Sequence, residues 1–350
     1  CDSTLWTLAS VPAFTVHDLE EFSSVWDARN QLALVGDSTT QRSYLTAVTA
    51  GTASRHILTS MTAGSTAELI PFTIDELGMG SAGTGLSGNK LNNYRYLDVP
   101  AAEANKLINF IRGDESTPEY RNRSVNFDGV SGTEKWLLGD IVNSTPAAVV
   151  PPKETYDSLH GDSTYAEFKS HYQNRRQVVY VGANDGMLHA FNSGLWNEST
   201  KRVTVSQSGE VAHALGAELW AYVPMNLLPH LQWLALPEYA HVYYVDGEPR
   251  SYDVNIFDSG VDDNGINHVN GWGTILVVGM RFGGGKIEVD SDGNGSTDKA
   301  LRSAYMVFDI TDPEQPPVLL GEFSRDNLGF TSSTPALVKK RQPSTSGDWS

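Results

Sequence analysis

A six-residue phrase that occurs twice is the feature that most restricts how this chain can fold. Residues 144–149 read Ser-Thr-Pro-Ala-Ala-Val and residues 333–338 read Ser-Thr-Pro-Ala-Leu-Val, each a few residues after a Leu-Gly pair. A recurring opening phrase is typical of structural units that stack on their neighbours, because one unit alone cannot bury both of its faces. The stretch between the copies is far longer than one unit of about 45 residues. We therefore expect intermediate units that have diverged or carry insertions.

Short β-rich runs dominate the sequence after residue 136. Residues 178–182 and 187–191 flank the turn Ala-Asn-Asp-Gly at 183–186, which is a strong hairpin signal. Further β-rich runs follow at short intervals, at residues 217–223, 241–245, 274–279 and 304–308. Helix signatures are scarce in this part of the chain. Repeated sheet units of this kind predict a β-propeller.

The part before residue 136 is less regular. Residues 101–111 predict a helix, with Asp98 before Pro100 as entry signals, an apolar stripe of Leu107, Ile108 and Ile111, and Gly113 as the stop. Residues 77–93 are rich in Gly, Ser and Asn and predict a loop.

The predicted fold class is all-β, a β-propeller that is incomplete in this chain, preceded by a mixed α/β segment. The mixed segment is assigned to residues 1–130, associated with the propeller, and the blades to residues 131–350. Two insertions between strands are expected, a polar stretch at residues 193–215 and an acidic loop near residues 288–301.

Composition excludes several kinds of partner and site. The formal net charge of -17 disfavours nucleic acid and anionic membrane surfaces as partners. A single cysteine, Cys1, excludes an internal disulfide and a cysteine-rich zinc site. No apolar run approaches the roughly 18 residues of a membrane span. The chain starts at Cys1 without a methionine or signal peptide and ends without an evident terminator, so we interpret it as a piece of a longer protein.

The acidic loop carries the one chemistry that can be read directly from the residues. Oxygen-bearing side chains alternate in it and a glycine follows, the pattern of positions one, three, five and six of a calcium-binding loop. A backbone carbonyl at position seven and a carboxylate at position nine would supply two further oxygen ligands. The predicted Ca²⁺ ligands are Asp290, Asp292, Asn294, Ser296 through its carbonyl, and Asp298 directly or through water.

The loop departs from a full EF-hand at position twelve, where Leu301 replaces the bidentate Glu. The closing ligand is therefore missing or comes from elsewhere, and we expect weak affinity, on the order of 10⁻⁵ to 10⁻³ M. The alternative is a solvated Asp/Gly turn without an ion, since these residues dominate turns for conformational reasons alone. A second acidic cluster, at residues 258–265, could bind another cation. Its donors do not alternate, so a solvated hairpin loop is the favoured interpretation there.

Other motifs have plainer explanations. Residues 112–114 form the integrin-binding tripeptide Arg-Gly-Asp, but they stand at a predicted helix end where Gly113 serves as the cap. Residues 78–83 match a dinucleotide fingerprint without the strand and helix that it requires. No Gly-x-Ser-x-Gly elbow or zinc-type histidine spacing occurs, and His189 in its β-rich run is interpreted as a packed, hydrogen-bonded histidine.

Several phrases, in their order along the chain, resemble the PilC/PilY-type type IV pilus biogenesis factors and their C-terminal β-propeller. The longest are residues 138–146 (Leu-Gly-Asp-Ile-Val-Asn-Ser-Thr-Pro) and residues 180–191 (Tyr-Val-Gly-Ala-Asn-Asp-Gly-Met-Leu-His-Ala-Phe). Shorter ones stand at residues 26–28, 55–59, 110–114, 218–224, 244–247 and 308–313. The resemblance runs from about residue 26 to the end of the chain. The N-terminal adhesive domain usual in the family is absent from this sequence.

The resemblance implies a secreted, non-enzymatic protein at the pilus tip or in the outer envelope of a bacterium. It also implies a role in pilus assembly, adhesion and twitching motility. The implied partners are pilin or minor pilins, and host surface receptors are a second class of partner. In this family a calcium loop in the propeller, here Asp290, Asp292, Asn294 and Asp298, is linked to opposing pilus retraction.

Two other functions stay open at this point. A quinoprotein-type dehydrogenase would share the propeller and docking phrases such as Gly-Ala-Glu-Leu-Trp at residues 216–220, but Cys1 alone cannot form the adjacent cysteine pair of many such enzymes. Fold alone does not establish function. A general adhesin or scaffold propeller, in which calcium is purely structural, is the other alternative.

Overall fold

The computed structural model describes residues 24–35, 39–49, 51–52, 54–63, 66–79, 90, 92–126 and 132–338. Most of its regular structure is β-strand. The strands in chain order are β1 Ile57–Ala63, β2 Thr66–Pro71, β3 Ser124–Val125, β4 Glu134–Lys135, β5 Ala147–Val149, β6 Gln177–Gly182, β7 Leu188–Asn197, β8 Arg202–Thr204, β9 Glu218–Val223, β10 Arg250–Asn255, β11 Gly260–Val261, β12 Asn267–His268, β13 Trp272–Gly279, β14 Ile287–Val289, β15 Lys299–Leu301, β16 Tyr305–Asp309 and β17 Val318–Phe323.

The helices are short except for one. They are α1 Ala28–Ala33, α2 Ile74–Leu77, α3 Ala101–Arg112, α4 Tyr156–His160, α5 Ser163–His171 and α6 Gln232–Ala235, with 3₁₀ turns at Asn93–Leu97, Met225–His230 and Val269–Gly271. No helix in the described ranges is long and apolar enough to cross a membrane.

Two antiparallel four-stranded meanders form the body of the molecule. The first runs β5-β6-β7-β9 and the second runs β10-β13-β16-β17. Four antiparallel strands per unit are typical of a propeller blade. Among the described residues no sheet closes on itself, as expected for an incomplete propeller.

The first copy of the repeated phrase marks the beginning of a sheet unit. It leads into β5, where the Ser144 hydroxyl accepts a hydrogen bond of 2.9 Å from the backbone of Gly182. The second copy follows β17, so the two meanders account for the distance between the copies. Both predicted insertions stay predictions. The polar stretch at residues 193–215 contains the end of β7 and the short strand β8, and the acidic loop is the tip of the β14–β15 hairpin between β13 and β16.

Aromatic side chains join the two meanders face to face. The ring of Phe308 lies 5.5 Å from that of Trp220 and 4.9 Å from that of Tyr222, and Tyr180 packs on Trp220 at 5.8 Å. All four side chains are at most 2% exposed. The Trp of the 216–220 phrase is therefore a wedge between sheets, and truncating such a residue typically costs about 3–5 kcal/mol.

The N-terminal segment extends the first sheet. Strand β1 pairs in parallel with β9 and antiparallel with β2, so residues before and after 130 share one sheet. The division predicted at residue 130 stays a prediction. The predicted helix is confirmed as α3, which buries Leu107, Ile108 and Ile111 and ends at Gly113 with a φ of 117°.

Two expectations about secondary structure were wrong. Residues 241–245 form no strand, because residues 244–247 bridge the two sheets through single hydrogen bonds and make no ladder with either sheet. Tyr244 N donates to Asn184 Oδ1 at 3.0 Å and Gly247 N donates to the Gly279 carbonyl at 3.1 Å. Helices α4 and α5 were missed between β5 and β6, although Asp162 caps α5 by accepting from the backbone of Thr164 and Tyr165. The predicted loop at residues 77–93 lies largely outside the described residues.

Candidate metal centre

The acidic loop is the tip of the hairpin formed by β14 and β15. The backbone of Asp298 donates a 3.0 Å hydrogen bond to the Val289 carbonyl and closes the loop on its strand. Val289 and Leu301 are 1% and 2% exposed, so their side chains anchor the hairpin to the body of the protein. Because Leu301 is apolar and points into the interior, position twelve supplies no ligand.

The structure brings three of the predicted ligands together. Asp290, Asp292 and Asp298 each present a carboxylate oxygen, and these three oxygens lie within 4.8 Å of one another. The Asn294 side chain lies in the same loop, where its amide nitrogen donates to Asp292 Oδ2 at 2.9 Å and its oxygen accepts from Ser296 N at 2.9 Å. An all-oxygen donor set of this kind suits a hard cation such as Ca²⁺.

Backbone amides organise the carboxylates. Asp290 accepts hydrogen bonds from the N–H groups of Gly293, Asn294 and Gly295 at 2.7–3.1 Å. The pKa of Asp290 is lowered, first by the bond from Gly295, and the pKa of Asp298 is lowered by the hydroxyl and amide of Ser291. Both carboxylates therefore stay ionised under mildly acidic conditions, and the loop presents concentrated negative charge to solvent.

The same loop contacts the N-terminal segment, which the sequence did not predict. The side-chain amide of Asn92 donates to the Asp292 carbonyl at 3.3 Å, and Arg95 Nε donates to Asn92 Oδ1 at 3.1 Å. The Arg95 guanidinium packs so closely on Gly293 that a Cβ there would lie 2.3 Å from its Cζ. No local pattern relates residues that are about 200 positions apart, so only the folded chain reveals this contact.

The second acidic cluster forms the predicted hairpin. Strands β11 and β12 pair, and Asp262 Oδ1 accepts from the backbone of Asn264 and Ile266 at the turn. A carboxylate oxygen of Asp262 also lies within 4.8 Å of ligand atoms of His268 and Asp309, which bond to each other at 2.8 Å. The turn and the hydrogen bond between His268 and Asp309 account for the side-chain contacts of Asp262, His268 and Asp309 without an ion.

His189 is confirmed as a packed, hydrogen-bonded histidine. Its Nδ1 lies 2.8 Å from Glu218 Oε1 and its Nε2 lies 3.1 Å from Asp185 Oδ2, while Arg55 binds Glu218 through both oxygens. Burial by itself lowers the pKa of His189, but the two carboxylates outweigh burial and raise the pKa to about 9. The imidazole is therefore charged at neutral pH and belongs to a buried ionic cluster.

The Arg-Gly-Asp tripeptide serves the helix end, as predicted. The Arg112 side chain is fully buried and donates to the Phe72 carbonyl at 2.8 Å and the Arg55 carbonyl at 3.0 Å. Gly113 adopts the left-handed conformation of a cap. The dinucleotide-like phrase at residues 78–83 lies mostly outside the described residues.

Comparison with known proteins gives a consistent family. The family model for the PilY1 beta-propeller domain matches residues 138–342. A type IV pilus biogenesis factor PilY1 homolog from Xylella fastidiosa is 32% identical over 255 residues, which cover 71% of this chain and 16% of the relative. Type IV pilus biogenesis factor PilY1 from Pseudomonas aeruginosa strain PAK is 28% identical over 250 residues, which cover 69% of this chain and 16% of that protein.

A solved structure is also similar in part. It is the crystal structure of the Pseudomonas aeruginosa PilY1 C-terminal domain, with 23% sequence identity and a TM-score of 0.30 over 54% of this chain and 28% of that one. The chain thus spans only about a sixth of the length of the curated relatives that it matches.

Proposed function

The chain belongs to the PilY1 β-propeller family, and from this premise we propose that it is the calcium-binding, non-enzymatic propeller module of a type IV pilus biogenesis factor. The relatives are named type IV pilus biogenesis factors, and the family model that matches residues 138–342 is that of the PilY1 β-propeller domain. In the proposal the protein works at the bacterial cell surface, with pilin or minor pilins as partners.

One observation supports the calcium assignment above the others. The carboxylate oxygens of Asp290, Asp292 and Asp298 converge within 4.8 Å at the tip of an anchored hairpin. Three negative charges this close repel one another, and a divalent cation between them would remove that repulsion. A turn without an ion needs only the backbone conformations that Gly293 and Gly295 supply, with φ values of 80° and 89°.

The acidic loop lies where a bound ion could influence the N-terminal segment. Asn92 and Arg95 contact the loop at Asp292 and Gly293, so the order of the loop bears on how the N-terminal segment lies against the second meander. Bound Ca²⁺ would stabilise the loop conformation that these contacts require. We propose that Ca²⁺ occupancy of the loop controls the balance between pilus extension and retraction. Occupancy would also expose or hide a surface for tip adhesion.

Calorimetric titration of the chain with CaCl₂, beside the double variant Asp290→Ala, Asp292→Ala, tests the site. Saturable binding in the parent and none in the variant is the expected result. The matched control is Asp258→Ala, Asp263→Ala, which removes two acidic residues of the second cluster and should leave the titration unchanged. Equal calcium affinity in the parent and the loop variant would rule out the loop as the site.

A cell-based comparison separates regulation from simple stabilisation. Cells whose full-length protein carries Asp290→Ala are compared with the parent for the amount of folded protein, pilus display and retraction. A regulatory ion predicts altered retraction per molecule of folded protein. A purely structural ion, the alternative, predicts less folded protein with unchanged retraction per molecule.

A further inference from the structure

A cavity of about 480 Å³ lies between the end of the N-terminal segment and the first meander, away from the acidic loop. Its volume falls within the range of small-ligand pockets, about 300–1,000 Å³. Leucine side chains, Leu137, Leu138 and Leu234, give it an apolar lining, and Trp136 and Tyr239 add aromatic walls. A mostly apolar cavity with a few polar groups is the usual form of a ligand site.

Arg121 is the unusual polar group in this cavity. Its Nε is buried without a hydrogen-bond partner in the part of the chain that the structure describes, while the residue as a whole is half-buried. The guanidinium is held in place by the ring of Tyr239, 4.3 Å from its Cζ, and by the backbone bond from Arg121 N to the Ala235 carbonyl at 2.9 Å. A buried donor without an acceptor is costly, and more so when it is charged.

The other charged groups of the cavity are already engaged, including Arg29, which stacks on Trp136 at 5.3 Å and donates to Asn30 Oδ1 at 3.0 Å. Asp185 accepts from Gly139 N at 2.9 Å and from His189, and Asp140 accepts from Asn184 and His241. Arg123 donates to the Phe110 carbonyl at 2.6 Å and to Glu115. The acidic side chains of the wall are therefore committed elsewhere, and Arg121 is left to bind something that enters the cavity.

We propose that this cavity binds a peptide carboxylate, with Arg121 as the residue that recognises the charge. A guanidinium pairs with a carboxylate through two parallel hydrogen bonds, which a buried Nε–H is suited to complete. The apolar and aromatic walls fit a neighbouring hydrophobic side chain. Asp140 and Asp185 in the wall, together with the net charge of -17, disfavour a doubly charged phosphate or a nucleic acid.

The carboxylate could be a chain end or an acidic side chain, and three probes distinguish these sources. Acetyl-Leu-Phe carries a free terminal carboxylate, acetyl-Leu-Phe amide carries none, and acetyl-Leu-Glu amide carries only a side-chain carboxylate. Each is titrated into the whole chain at concentrations up to the millimolar range and followed by calorimetry. Saturable binding of at least one acid, with no binding of the neutral amide, is expected. If neither acid saturates, or if the neutral amide binds equally well, the proposal is overturned.

Substitutions locate the binding. Arg121→Gln is expected to weaken probe binding at least about tenfold. Arg121→Lys keeps the positive charge but lacks the paired N–H donors of a guanidinium, so it should weaken binding less than Arg121→Gln does. The matched control is Arg281→Gln, because Arg281 also stacks on an aromatic ring, 5.0 Å from Phe282, but lies outside the cavity. Unchanged affinity in Arg121→Gln would overturn the assignment.

A structural role for Arg121 gives a different result. Because the Nε of Arg121 has no hydrogen-bond partner among the described residues, Arg121→Gln should melt close to the parent temperature. If Arg121→Gln does not fold, Trp136→Ala tests the site instead, because it removes one wall of the cavity and leaves Arg121 in place. Loss of probe binding in folded Trp136→Ala supports the site, and full binding overturns it.

Discussion

The side-chain amide of Asn92 donates a hydrogen bond to the backbone carbonyl of Asp292, with 3.3 Å between nitrogen and oxygen. This bond connects the N-terminal segment to the acidic loop of the second meander. Arg95, held by Asn92, places a positive charge against Gly293 in that loop. Two residues from outside the acidic loop, Asn92 and Arg95, therefore contact it directly.

Removing the charge of Arg95 should strengthen calcium binding. A cation beside the loop repels an incoming dication, so Arg95→Gln is expected to raise the affinity about two- to fivefold at low ionic strength. Calorimetry at low and high salt checks this, since screening should shrink the difference. Arg281→Gln serves as the control for a general change in net charge. Weaker binding in Arg95→Gln would mean that Arg95 mainly holds the loop in shape.

The buried cluster around His189 should make stability fall at alkaline pH. The pKa of His189 in the folded protein is about 9, against about 6.5 in an unfolded chain. The stabilising contribution is therefore complete below about pH 6.5 and is lost as the pH rises through 9, a change on the order of 3 kcal/mol. Urea unfolding across this window measures it. His189→Gln, which cannot titrate, should show a much flatter dependence.

Gly283 should tolerate no side chain. A Cβ at this position would lie 1.8 Å from the backbone oxygen of Tyr244, and neither backbone can move without disturbing the bridge between the sheets. Gly283→Ala is expected to cost about 3 kcal/mol or more. Gly329→Ala is the control, because its Cβ would meet nothing within 4 Å. Thermal unfolding of both variants tests the prediction, and equal melting temperatures would contradict it.

Arg112 should matter for stability and not for receptor binding. Its buried guanidinium donates to several backbone carbonyls, including those of Phe72 and Arg55. Arg112→Ala removes these buried hydrogen bonds and leaves the Phe72 carbonyl without that donor, so a loss of at least about 3 kcal/mol is expected by urea unfolding. In surface plasmon resonance the folded parent should show no Arg-Gly-Asp-dependent integrin binding. Binding that Asp114→Glu abolishes would show that the tripeptide is accessible after all.

Much of the strand plan could be predicted because its signals are local. The turn at residues 183–186, the alternation of β-rich runs and the cap at Gly113 each depend on residues within a few positions of one another. The segment at residues 241–245 has the same β-rich composition but pairs in no sheet. Its backbone N–H groups at Tyr244 and Val245 bond to the Asn184 side chain and the Ala183 carbonyl, both in the turn between β6 and β7, which local composition cannot anticipate.

The candidate metal centre likewise combines features that are local in sequence with contacts between distant residues. By itself the sequence determined the alternating oxygen donors of the acidic loop, its missing ligand at Leu301 and the repeated phrase whose first copy opens a sheet unit, because each is a pattern of neighbouring residues. Only the tertiary structure decided that Asn92 and Arg95 lie against that loop and that Arg121 lines a cavity while its Nε has no hydrogen-bond partner in the described chain. These contacts join residues far apart in sequence, and packing of the whole fold sets their distances.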